Sequence, residues 1–252
     1  MKKKTVPFCR LSEKIRSFCV FYQKTYIFNK NASFATETIF NTTETVSFGS
    51  DENSTTSFGT TDNPVNFTHT AGKTLITGNL SANDVTLSET EISGTVNAND
   101  INCGKTTIAG NVVAKKITLA ENSIDGTVTG TEITLGKTKL NGNITGTDVE
   151  IGDLSLNGTI VADNITLEAT EIIGDSELKI NETSTDRKIT LNGNVTSTGS
   201  KTLTLNGNVE IPTTSTSQLE INLNEGILET KDIKSESSLS IKAKTQTFGG
   251  TI

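Results

Sequence analysis

Six positions spaced sixteen residues apart, Asp84, Asp100, Lys116, Glu132, Asp148 and Asn164, are the first place in this sequence to look for chemistry. Hydrolysis of a glycosidic bond takes two carboxylates, one protonated to act as acid and one ionised to act as base or nucleophile, flanking the scissile bond. An enzymatic version of such a column also needs clustered Lys or Arg and a subsite that grips the substrate. Here one Lys interrupts the acids, and no Arg, His or aromatic residue accompanies them. The column therefore reads as solvated surface, and no catalytic residue is assigned.

The remaining reactive side chains are sparse. His69 is the single histidine and has no Cys or second His nearby with ligand spacing, so no metal site is assigned. The Gly-Gly-x-Gly-x-Asp nonapeptide of calcium-binding solenoids is absent. Cys9, Cys19 and Cys103 are odd in number and far apart, which gives neither a disulfide framework nor a zinc motif. Thr86, Thr118, Thr134 and Thr166 share one column, but acids and Lys116 beside them spoil the flat, uncharged array that an ice-matching surface requires. Sequons such as Asn66-Phe67-Thr68 and Asn143-Ile144-Thr145 arise by chance in a chain this rich in Asn and Thr. No cofactor is implied.

Charge removes further classes. The 252 residues carry a formal net charge of −7, and arginine occurs only at Arg10, Arg16 and Arg187. Binding a phosphate backbone needs clustered cations, so nucleic acid is not expected as a partner. No run of 18 apolar residues exists, so no helical membrane span is expected.

The elements that would carry these side chains follow from a repeat. An aliphatic residue with Gly two positions later occurs at Ile76/Gly78, Ile92/Gly94, Ile108/Gly110, Ile124/Gly126, Leu140/Gly142, Leu156/Gly158 and Ile172/Gly174. Each step is sixteen residues. A second aliphatic follows each Gly by two (Val96, Val112, Val128), then a small residue (Ala98, Ala114, Gly130), then a pair such as Ile101/Cys103 or Ile117/Leu119. Alternation with period two marks strands with one buried face, and the parity break between stretches marks corners. About five residues per side suit a three-sided coil, with rungs stacked at about 4.8 Å into a block about 30 Å long. The expected fold is all-β: a single-stranded parallel β-helix, or β-solenoid, of about 16 residues per rung, right-handed. Since one rung buries too little to offset its ordering entropy, each is stable only against a neighbour. The repeating Gly has two explanations, a dihedral only Gly tolerates or a wall too close for a Cβ. Cys103 sits in a column of Leu119, Leu135, Ile151 and Leu167 and reads as a buried small hydrophobe. The column Glu89, Lys105, Glu121, Lys137, Asp153 alternates in sign and would favour correct register.

Four segments are expected. Residues 1–35 are basic and aromatic, with Ser33-Phe34-Ala35 fitting a small-x-small cleavage site, and read as an N-terminal extension or degenerate signal segment. Residues 36–74 read as an irregular strand-rich cap, residues 75–176 as the regular solenoid, and residues 177–252 as its irregular continuation. In that last part Leu191-Asn192-Gly193-Asn194-Val195 is echoed by Leu205-Asn206-Gly207-Asn208-Val209 fourteen residues on.

Those Thr/Asn-rich elements, Ile189 to Val195 and Leu203 to Val209, resemble the passenger regions of bacterial exoproteins of the filamentous-haemagglutinin and autotransporter type. That resemblance implies a right-handed β-helix exposed at the cell surface, structural or adhesive rather than enzymatic, meeting a receptor or glycan on a host or neighbouring cell. Residues 76–174, typified by Ile92-Ser93-Gly94-Thr95-Val96-Asn97-Ala98, are also similar to bactofilins. That second resemblance implies a cytoplasmic, membrane-associated scaffold that polymerises end to end. A carbohydrate-active enzyme is a distant third reading.

Overall fold

A computed structural model of the chain describes residues 19–21, 26–28, 31–181, 187–197, 199–212, 219–223, 225–235 and 238–249. The basic start of the chain, with Cys9, lies outside these residues. Every strand-to-strand pairing among the described elements is parallel, and all belong to one sheet that coils on itself. The fold is a parallel β-solenoid. Its core is one continuous column from Tyr26 to Ile233.

One rung shows how sequence becomes shape. In the strand Thr95–Ile108 the inward residues are Val96 and Ala98, then Ile101 and Cys103, then Thr106 and Ile108. Pairing with the next rung lapses at residues 99 and 104, and the strand ends before Ala109 and Gly110. These breaks are the corners of a three-sided coil. Three rungs later the sides are separate strands, Asn143–Thr145, Asp148–Ile151 and Leu154–Leu156. We call the sides one (95–98), two (100–103) and three (105–108).

The sixteen-residue register holds throughout the block. Ile92 pairs with Ile108 and Ile108 with Ile124, while Val96 pairs with Val112 and Val112 with Val128. Cys103 lies between Leu87 and Leu119, 2% exposed, as its column requires.

The glycine column has a steric cause. A Cβ on Gly110 would lie 1.9 Å from the carbonyl oxygen of Gly94, and one on Gly126 would lie 1.8 Å from that of Gly110. Neither glycine is at positive φ. Close approach of successive corners, rather than a special dihedral, therefore excludes a side chain.

Side three holds a feature that the aliphatic pattern does not reveal. Its first inward position is occupied by Thr74, Thr90, Thr106, Asn122, Thr138 and Thr170, with Leu154 between the last two, all buried. Asn122 donates to the Leu119 carbonyl at 3.3 Å and to Thr138 Oγ1 at 3.2 Å. The hydroxyls of Thr90 and Thr106 have no such partner. The signal was present in the sequence: each of these residues lies two before an Ile or Leu of the repeating aliphatic column, so strand alternation points it inward.

Outside the regular block the rungs lengthen without leaving the stack. Tyr26–Phe28 pairs with Val46–Phe48, and Ala32–Phe34 pairs with Thr55–Phe58. Here the core is aromatic: Phe28 stacks on Phe48, Phe34 on Phe58 and Phe58 on Phe67, with centroids 5.2, 4.7 and 4.5 Å apart. Large rings fill irregular coils whose stacked residues are 19 to 29 apart, as for Cys19 with Thr38 and Thr38 with Phe67. Towards the C-terminus the spacing widens again, Glu168 meeting Asn192 and Asn194 meeting Glu220 at separations of 24 and 26. The two Asn-Gly-Asn echoes do not stack on each other. Leu191 lies over Leu167 on side two, whereas Leu205 lies over Leu178 on side one.

Candidate functional surface

Strand alternation gives each side two outward columns, and the three sides differ in charge. On side two the columns are Asp84, Asp100, Lys116, Glu132, Asp148, Asn164 and Thr86, Asn102, Thr118, Thr134, Glu150, Thr166. The structure thus brings together every residue of the acid column, each beside its neighbour sixteen residues on. Lys116 Nζ approaches Glu132 to 3.4 Å, and Asn164 donates to Asp148 at 2.8 Å. Glu132 and Asp148 are unlike-chain-position but like-charge neighbours, with Glu150 two residues further along. One oxygen of Asp84 is buried without a partner. Glu132, Asp148 and Glu150 line an open groove on side two, and no Arg, His or aromatic side chain is among the residues that line it. The Thr column shares that wall with the acids, as its spacing implied.

Side three carries the alternating column. Lys73 pairs with Glu89, Glu89 with Lys105, Lys105 with Glu121 and Glu121 with Lys137 in strand register. Among these, Lys73 and Glu89 come within ion-pair distance, at 3.8 Å, and Lys73 also contacts Glu91. The others stand further apart, so the column acts mainly by disfavouring slipped registers. Exposed pairs of this kind contribute about 0–1 kcal/mol each.

Side one is different. Its outward columns are Asn79, Thr95, Asn111, Thr127, Asn143, Thr159 and Ser81, Asn97, Val113, Thr129, Thr145, Val161. Neither contains a charged residue. The charge-free strip continues towards the N-terminus through Thr55 and Ser57 and ends where Glu177 and Lys179 pair with Thr159 and Val161. Val113 is 42% exposed, one of two large apolar side chains that stand out into solvent among the described residues. The Thr column singled out in the sequence lies on side two, not on this strip. Its signal is the stretch following each repeating Gly from Gly78 to Gly158, where the two residues flanking the buried aliphatic are never charged.

The buried reactive groups are enclosed rather than presented. His69 is fully buried in the N-terminal coils: Nε2 donates to the Thr42 carbonyl at 3.0 Å, and Nδ1 lies 2.9 Å from Thr74 Oγ1. Burial holds its pKa below the ordinary imidazole value. Burial also pushes the Cys103 thiol up to about 12, against smaller opposing effects of the Thr90 and Thr106 hydroxyls. Neither group can act as nucleophile or ligand at neutral pH in this setting. Among the described residues, no three His, Cys, Asp or Glu side chains are grouped so as to hold a metal ion, and no helix is long and apolar enough to cross a membrane.

Comparisons with protein-family models, with curated proteins and with solved structures found no match.

Proposed function

We propose that this chain is a non-catalytic structural and adhesive rod exposed at the cell surface, a passenger-like part of an exoprotein of the filamentous-haemagglutinin type. The observation that carries the reading is the charge-free wall of side one, which runs unbroken from Thr55 to Val161 while the charges occupy the other sides and corners. Enzymes concentrate perturbed titratable groups in a concave pocket. Here the perturbed groups His69 and Cys103 are sealed in the core, the shifts of Asp51, Lys73 and Glu210 come from surface hydrogen bonds and ion pairs, and the acids of sides two and three line shallow, open grooves. A stiff stack with long repetitive walls suits spanning distance and presenting many weak contacts. The partner class consistent with such a wall is a neutral hydrogen-bonding surface, a receptor or glycan on a facing cell.

Two measurements test this. Residues 1–35 fused to a reporter should direct its export, and protease added to intact cells expressing the full chain should digest it. Retention of both inside the cell would sink the surface reading and favour the cytoplasmic scaffold that polymerises end to end.

A further inference from the structure

The relief of side one is itself patterned. Along its first outward column Asn and Thr alternate strictly: Asn79, Thr95, Asn111, Thr127, Asn143, Thr159. Each Asn in this column is exposed and each Thr is half-buried, so the column is a row of projections and hollows. Over these six rungs the alternating row is complementary to its own reverse. A two-fold axis along the strand direction, midway between Asn111 and Thr127, turns one copy end for end and sets every Asn opposite a Thr.

Charge supports the same pairing. A molecule of net charge −7 repels its own copies, and side one is the wall on which two can meet without desolvating an ion. The flanking corners agree. Under that axis Asp125 faces Ala109 of the second copy, Lys115 faces Thr131 and Asp163 faces Asn83, so no like charges meet. The hydrogen-bonding groups are also unspent. On the other walls and corners Asn164 and Asn141 donate to Asp148 and Asp125 of adjacent rungs, whereas from Thr95 to Thr159 no side chain of the alternating column makes a hydrogen bond within the described residues.

We propose that side one pairs face to face with side one of a second copy, antiparallel, each Asn projection seated over a Thr hollow. This goes beyond the adhesive reading and holds whether or not the chain lies at a cell surface. The wall is about 30 Å long and roughly 10 Å wide from strand spacing and rise. That gives roughly 300 Å² per partner, well under the roughly 800 Å² of a standard stable interface. The pairing is therefore reversible in dilute solution and becomes dominant where many rods are held together.

The test uses full-length chains in a Cys9→Ser, Cys19→Ser background, where Cys103 is sealed in the core. Chains carrying Asn79→Cys are mixed with chains carrying Thr159→Cys at high concentration and oxidised. The antiparallel pairing brings these two positions together, while two Asn79→Cys chains hold their thiols roughly 24 Å apart, five strand spacings. The mixed disulfide should form at least about tenfold faster than in a mixture of Asn79→Cys with Thr118→Cys, whose thiol lies on side two, as raised effective concentration requires. Adding Asn111→Lys and Thr127→Lys to both chains should abolish that excess while leaving the circular dichroism spectrum unchanged. Equal rates for the two mixtures, or preferential Asn79→Cys homodimers, would overturn the proposal.

Discussion

Replacing Gly110 by Ala tests the physical basis of the stack. The added Cβ would sit 1.9 Å from the Gly94 carbonyl oxygen, and Cβ contacts below 3.0 Å are essentially never seen. The two corners must therefore part by at least about 1.1 Å, the difference of those distances. That opening stretches Asn111 N to Gly94 O from 3.0 Å, and Gly110 N to Ile92 O from 3.1 Å, beyond hydrogen-bonding range. Two hydrogen bonds at about 1 kcal/mol each, with about 1–3 kcal/mol for overpacking a tight site, give a loss of about 3–5 kcal/mol. Gly152→Ala is the control, because its Cβ would meet nothing closer than 3.3 Å. Unfolding in guanidinium, followed by circular dichroism and by amide exchange in the Thr95–Ile108 and Asn111–Ile124 strands, reads the difference. If conformational freedom rather than close approach selected glycine, both variants would be near neutral or slightly stabilised through the unfolded chain, by about 0.4–1 kcal/mol. A Gly110→Ala protein as stable as the parent would refute the steric account.

Three further outcomes are expected. Thr106→Val removes a buried hydroxyl that has no oxygen or nitrogen partner and only a weak contact with the Cys103 thiol, at nearly constant volume, and should leave stability unchanged or raise it by up to about 1 kcal/mol in the same denaturation assay. His69 has a depressed folded pKa relative to 6.5; the unfolded chain binds the extra proton, so its contribution is full above pH 6.5 and is lost as pH falls through the folded value, by up to about 1.4 kcal/mol per unit. Amide exchange in the Phe67–Ile76 strand should accelerate over that range, and His69→Gln should flatten the dependence. Cys103, with its thiol pushed up to about 12, should resist alkylation at pH 8 in the native protein and react on denaturation, as read by peptide mass spectrometry.

How much of this was legible in the sequence depends on which side of each strand a residue faces. The recurrence of Ile92, Ile108 and Ile124 with a glycine two residues later determined the solenoid, its sixteen-residue rung and most of its core, because burial of one strand face imposes alternation and stacking imposes period. The charges of sides two and three were legible for the same reason. Three other matters are only implicit in the sequence and become plain in the tertiary structure. Thr106 and Asn122 point inward, although polarity suggests surface, because neighbouring Ile108 and Ile124 fix the parity of side three. Phe28, Phe34, Phe48 and Phe58 join the same stack despite irregular spacing, because a coil of different circumference can still pair edge to edge with the next. The segregation of charge away from side one depends on which columns share a wall, a property of corners at residues 99, 104 and 109–110 that no single repeat displays. Linear sequence specifies which residues are neighbours along a column; only the folding of the coil specifies which columns lie side by side.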